Sequence, residues 1–99
     1  MTIPELVKAK VGQFDQNAEV ILFGSRANGT ARKESDWDFL ILMSKSINYE
    51  IEDQIRDELY EIELEKEQII SSIVESSEDW AKYEVTAIYK NIMREGIKV

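Results

Sequence analysis

Two aspartates one residue apart, Asp36 and Asp38, are the side chains of this sequence best suited to chemistry. They stand at the head of the run Asp-Trp-Asp-Phe-Leu-Ile-Leu-Met, which reads as a strand over 36–43. Side chains alternate along a strand, so both carboxylates leave one face with Cα atoms about 6.5–7 Å apart. Such a pair can share two hard cations, which sites for phosphoryl chemistry hold about 3.5–4 Å apart. Without a cation the two anions repel, and one tends to keep its proton. Upstream, Gly24-Ser25 directly follows the apolar run Val20-Ile-Leu-Phe23. Glycine lets the backbone turn sharply and come close to a ligand. A helix starting there would aim free N–H groups at the turn and favour a phosphate, with the Ser25 hydroxyl as a further donor. Arg26 and Arg32 flank the intervening loop and can neutralise phosphate charge. The plain alternatives are strand-edge solubility for Asp-x-Asp, a strand-ending turn for Gly-Ser, and surface arginines.

The elements that must position these residues follow from periodicity. Thr2-Ile-Pro-Glu5 fits a capping box, and Ile3, Val7, Val11 and Phe14 then recur at helical spacing, giving a helix over 3–14. A turn at 15–17 leads to a buried strand over 18–23. Residues 26–35 read as a loop or short helix followed by a turn, ahead of the strand over 36–43. Ile51, Ile55, Leu59 and Ile62 mark a helix over 49–64 with a charged outer face. Gln68–Val74 reads as a third strand, and Ser76 or Ser77 can cap a short turn carrying Trp80. Val85, Ile88 and Ile92 mark a last helix that Gly96 stops. This order predicts an α/β (α+β) fold: a small mixed β-sheet with helices packed on it.

Composition narrows the chemistry. The chain has no histidine and no cysteine, which excludes Ser-His-Asp and Cys-His catalysis, thiolate zinc sites and disulfides. A metal would have to be held by oxygen, which points to magnesium, manganese or calcium. With 99 residues, 43% of them hydrophobic, a single domain over 1–99 with a modest core is expected. No run approaches the roughly 20 apolar residues of a membrane span. Twelve basic residues against twenty acidic give a net charge of −8, a poor match to direct nucleic-acid binding. That charge suits solubility or docking onto a basic protein. Met1 leads into Thr-Ile-Pro-Glu with no leader pattern, so a cytoplasmic location is expected.

Gly24-Ser25, ten residues, then Asp36-x-Asp38 resembles the signature of the polymerase-β-like nucleotidyltransferase superfamily. The surrounding Phe-Gly-Ser-Arg-Ala, Gly-Thr-Ala and Ser-Asp-x-Asp look like its minimal nucleotidyltransferase branch. Trp80 and Tyr89–Ile97 look like the ending of small bacterial members. The resemblance implies a nucleotidyltransferase-like fold with Gly24, Ser25 and Arg26 at the nucleotide. It implies two Mg²⁺ ions (or Mn²⁺) on Asp36 and Asp38. The implied reaction is transfer of a nucleoside monophosphate, usually AMP from ATP, to a hydroxyl. It further implies a helical HEPN-type protein partner, with the chain as the antitoxin half of a toxin–antitoxin pair.

The family's third carboxylate belongs on the third strand, near Ile69 or Ser71, and neither residue is acidic. Glu67 shares their parity and stands as the substitute catalytic acid if the register slips by one pair. Two classes of function follow. One is a working Mg²⁺-dependent transferase acting on a partner protein or small molecule. The other is a catalytically degenerate domain that binds a protein as an antitoxin or regulator. In the first case a second chain, or a second copy in a homo-oligomer, would have to complete the acceptor site. Trp37 and Trp80 read as packing residues.

Overall fold

The computed structural model describes residues 1–99. The elements run α1 (Ile3–Phe14), β1 (Glu19–Phe23), α2 (Ser25–Asn28), β2 (Trp37–Met43), α3 (Tyr49–Lys66), β3 (Ile70–Ser76), α4 (Ser77–Ala81), α5 (Ala87–Glu95) and β4 (Ile97–Lys98). The capping box at the start of α1 forms in full. The Thr2 N–H donates to the Glu5 carboxylate at 2.9 Å, and the Glu5 N–H donates to Thr2 Oγ1 at 3.3 Å. At the start of α3 the Asn48 side chain accepts from the Ile51 N–H at 2.9 Å. Ile3, Val7 and Val11 of α1 and Ile55, Leu59 and Ile62 of α3 are buried, the stripes that their spacing requires.

The strands form one sheet in the order β3-β2-β1-β4. β1 and β2 are antiparallel, with Phe23 opposite Asp38. β2 and β3 are parallel, with Asp38 beside Ser71, so the long helix α3 carries the crossover between them. The sheet is covered on both faces. Phe39, Ile41 and Met43 of β2 join α1 and α3 in the larger core. Leu40 and Leu42 face the other way and pack with Trp80 of α4 and Ile92 of α5. Burial on both faces explains why β2 is apolar without alternation after Asp38.

Several boundaries differ from the sequence reading. β2 starts at Trp37, so Asp36 lies immediately before the strand. β3 starts at Ile70, because α3 runs on to Lys66 and Glu67 then turns the chain with φ 55°. α5 starts at Ala87, where the Thr86 hydroxyl accepts from the Tyr89 N–H at 3.2 Å, and leaves Val85 outside and exposed. Gly96 does end α5, but the chain continues into β4 against β1, where Ile97 pairs with Leu22. A two-residue strand carries no periodicity of its own, so only pairing to β1 defines it.

Candidate active site

The Gly-Ser and Asp-x-Asp segments gather at one end of the sheet, where β1 ends and β2 begins. β1 runs out at Phe23, and the chain turns at Gly24 with φ 73° and ψ −155°, a conformation open to glycine almost alone. Asp38, opposite Phe23, lies directly against this turn. A Cβ at Gly24 would overlap Asp38 Oδ2. Glycine is therefore required twice, once for the dihedral and once to make room for a carboxylate. α2 follows at once: the N–H groups of Ala27 and Asn28 donate to the Gly24 carbonyl at 3.0 and 3.1 Å. The N–H groups of Ser25 and Arg26 come earlier in the turn and have no partner within the helix.

Asp36 is exposed and Asp38 is half-buried. Burial pushes the Asp38 carboxyl above the usual carboxylate range, and the charge of Asp36 pushes it the same way. No ion pair joins a Lys or Arg to either aspartate. This is a pair of uncompensated anions, and it fits a hard divalent cation. Mg²⁺ is commonly held by one or two protein carboxylates, with water and substrate phosphates filling its other positions. No third acidic residue joins the pair.

The register places Ser71 beside Asp38, and the Trp37 N–H donates to the Ile69 carbonyl at 2.9 Å. The two positions flanking the aspartates are therefore Ile69, just before β3, and Ser71 within it, the two positions that the family resemblance points to. Glu67 is not part of the strand. It closes α3 in a left-handed conformation, so strand parity does not set the direction of its side chain. It borders a hollow with Lys33, Ser35, Lys66 and Gln68.

Arg26 turns into the protein rather than standing free beside the turn. Its Nη2 donates to the carbonyls of Ser35 at 2.9 Å and Lys33 at 3.2 Å, and lies 3.4 Å from Gln68 Oε1. Its guanidinium stacks 4.5 Å from the centre of the Trp37 ring. Arg32 is exposed, and its backbone N–H donates to Ser35 Oγ at 2.8 Å. Two contributors escape sequence reading. Gln68 joins the Arg26 group through its side-chain oxygen, which also accepts from Trp37 Nε1. The Glu63 carboxylate accepts from the Ile70 N–H at 2.7 Å and so anchors the start of β3. Neither contact has a local signal, because each spans a turn whose shape only the fold sets.

Beside the Gly24 turn lies a groove of about 440 Å³. Phe23 and Gly24 form one wall, and Ile88, Asn91, Ile92, Arg94 and Glu95 of α5 form the other. Its size falls in the range of small-molecule sites.

No helix of the chain is long and apolar enough to cross a membrane. A comparison with curated proteins returns no match. The family model for the nucleotidyltransferase domain matches residues 3–99, taking in the Gly24 turn, both aspartates and every element of the fold. With the motif assembled at one sheet end and the match running through Val99, the chain belongs to the nucleotidyltransferase domain family of the polymerase-β-like superfamily.

Proposed function

We propose that the protein binds a nucleoside triphosphate with Mg²⁺ and transfers its nucleoside monophosphate, AMP from ATP, to a hydroxyl of a partner protein or small molecule. The observation that carries this reading is the contact between the Gly24 turn and the Asp38 carboxylate. It would bring a phosphate-binding backbone and a cation-binding side chain together at one sheet end. Asp36 and Asp38 would hold Mg²⁺ or Mn²⁺. A divalent cation held there would supply positive charge to the phosphates and to the departing pyrophosphate. Gly24 and Ser25 would face the phosphates, and the groove between Phe23 and α5 would take the nucleoside.

The reaction balances simply. The acceptor oxygen bonds to the α-phosphorus, the bond from that phosphorus to the bridging oxygen breaks, and pyrophosphate leaves with that oxygen. The hydroxyl proton passes to solvent, because Ile69 and Ser71 offer no carboxylate beside the pair. The same fact favours a second reading, in which the domain is catalytically degenerate and serves as a protein-docking antitoxin or regulator. Under both readings the net charge of −8 suits a basic protein partner, a helical HEPN-type protein by family resemblance.

Calorimetric titration with ATP and Mg²⁺ tests the first reading beside an Asp36→Ala/Asp38→Ala variant. Saturable, metal-dependent binding that the variant loses is the expected result. No binding up to millimolar ATP overturns a self-sufficient nucleotide site and leaves the docking reading.

A further inference from the structure

The peptide on each side of Asp36 is tied down, although Asp36 itself is exposed. On one side the Ser35 carbonyl accepts from Arg26 Nη2 at 2.9 Å. On the other the Trp37 N–H donates to the Ile69 carbonyl at 2.9 Å. The Trp37 side chain packs with the α1–α3 core, on the face opposite Asp38. There its ring meets the Arg26 guanidinium at 4.5 Å and stacks on Phe39 at 6.5 Å, while its Nε1 donates to Gln68 Oε1. Gln68 also lies 3.4 Å from Arg26 Nη2, which closes a ring of contacts between α2, the start of β2 and the α3–β3 turn.

We infer that Arg26, Trp37 and Gln68 form a positioning device that holds Asp36 beside Asp38 from behind the sheet. The inference rests on the proposed reading of the two aspartates as cation ligands. Two like charges drive each other apart, and an exposed residue before a strand would yield first. Clamping both of its neighbours keeps the pair preformed for a cation. Arginine suits the task because a planar fork can serve several acceptors while its face lies on an indole, and a lysine ammonium cannot do both. All of its protein acceptors are met by Nη2, while its Nε is buried without a partner. Through Nη2 the arginine acts on Asp36 by holding the Ser35 carbonyl.

Three variants of the full chain test this: Arg26→Lys, Arg26→Met and Trp37→Phe. Two quantities are read for each, the affinity for Mn²⁺·ATP and the amide exchange rates of Ser35 and Trp37. Arg26→Lys keeps the charge, yet affinity should fall at least about tenfold and exchange should speed up, since losing the groups that support a metal ligand costs about 10–100-fold in affinity. Trp37→Phe keeps Arg26 and the ring, and should move both readings the same way by less. Wild-type affinity in Arg26→Lys overturns the inference, because charge alone would then suffice. Lost affinity with unchanged exchange in Arg26→Met also overturns it, because the arginine would then touch the ligand directly. If Arg26→Met does not fold, Trp37→Phe carries the test. If the wild-type chain binds no Mn²⁺·ATP, the nucleotide reading fails separately, and unchanged exchange in the folded variants then overturns the positioning role.

Discussion

Replacing Gly24 with alanine should damage stability and binding together, and a second glycine supplies the control. At φ 73° and ψ −155° an alanine is forced into a region that costs about 1–3 kcal/mol. Its Cβ would also overlap Asp38 Oδ2, and moving that carboxylate off its rotamer adds about 0.5–1.5 kcal/mol. The sum is about 1.5–4.5 kcal/mol. At about 4–8 °C per kcal/mol for a domain of this size, the melting temperature should fall by about 6–36 °C. Gly29 has φ 82° and ψ 10°, and a Cβ there would meet nothing within 4 Å. Gly29→Ala should therefore cost only the left-handed backbone term, about 1–2 kcal/mol. Urea denaturation gives both free energies, and titration with ATP and Mg²⁺ gives both affinities. Gly24→Ala should lose binding because Asp38 is displaced, and Gly29→Ala should keep it. Placed on an Asp38→Ala background, Gly24→Ala should cost less, since the overlap is gone and only the dihedral remains. Equal costs for the two glycines, or intact binding in Gly24→Ala, would refute the reasoning.

Asp38→Asn should stabilise the unliganded protein while abolishing metal-dependent nucleotide binding. A carboxyl whose folded pKa is raised contributes stability in full below its unfolded value and loses it as pH rises through the folded value. The variant should thus melt above wild type at neutral pH, with the difference gone below about pH 4, as thermal scans across pH will show. Asp15→Asn should behave oppositely. Asp15 accepts from the Ser44 N–H at 2.7 Å and the Ser44 hydroxyl at 2.6 Å, and these bonds pull its pKa down. Its contribution, about 1 kcal/mol for partly exposed bonds, is present above its unfolded pKa and lost as pH falls through the folded one. Denaturation at neutral pH and in acid should show a deficit only at the former. Ser71→Asp places a carboxylate beside Asp38, where a general base would stand. Transfer of labelled AMP should rise by about a hundredfold or more, and an unchanged rate would show that a missing base is not what limits the site.

Much of the site is local and therefore legible as text. The strand–Gly-Ser turn and the Asp-x-Asp spacing depend on alternation and on the freedom of glycine, and both act within a few residues. The capping box at Thr2 and the buried stripes of α1 and α3 are legible for the same reason. The extent of β3 was not legible, because α3 runs to Lys66 and only then turns, at a non-glycine residue with φ 55°. Glu67 falls out of the strand for that reason, although its parity matches Ile69 and Ser71. Nothing around Arg26 distinguishes a phosphate ligand from a clamp. Its acceptors are two backbone carbonyls and a glutamine 42 positions away.

The sequence by itself determined the elements, the two apolar faces and the pair of aspartates after a glycine turn, since each is written in short-range spacing. Only the tertiary structure decided the parallel register that sets Ser71 beside Asp38, the inward turn of Arg26, and the two-residue strand at the far edge. Those depend on pairings between distant segments, which are fixed when both faces of the sheet are buried at once and a one-residue slip would expose the core.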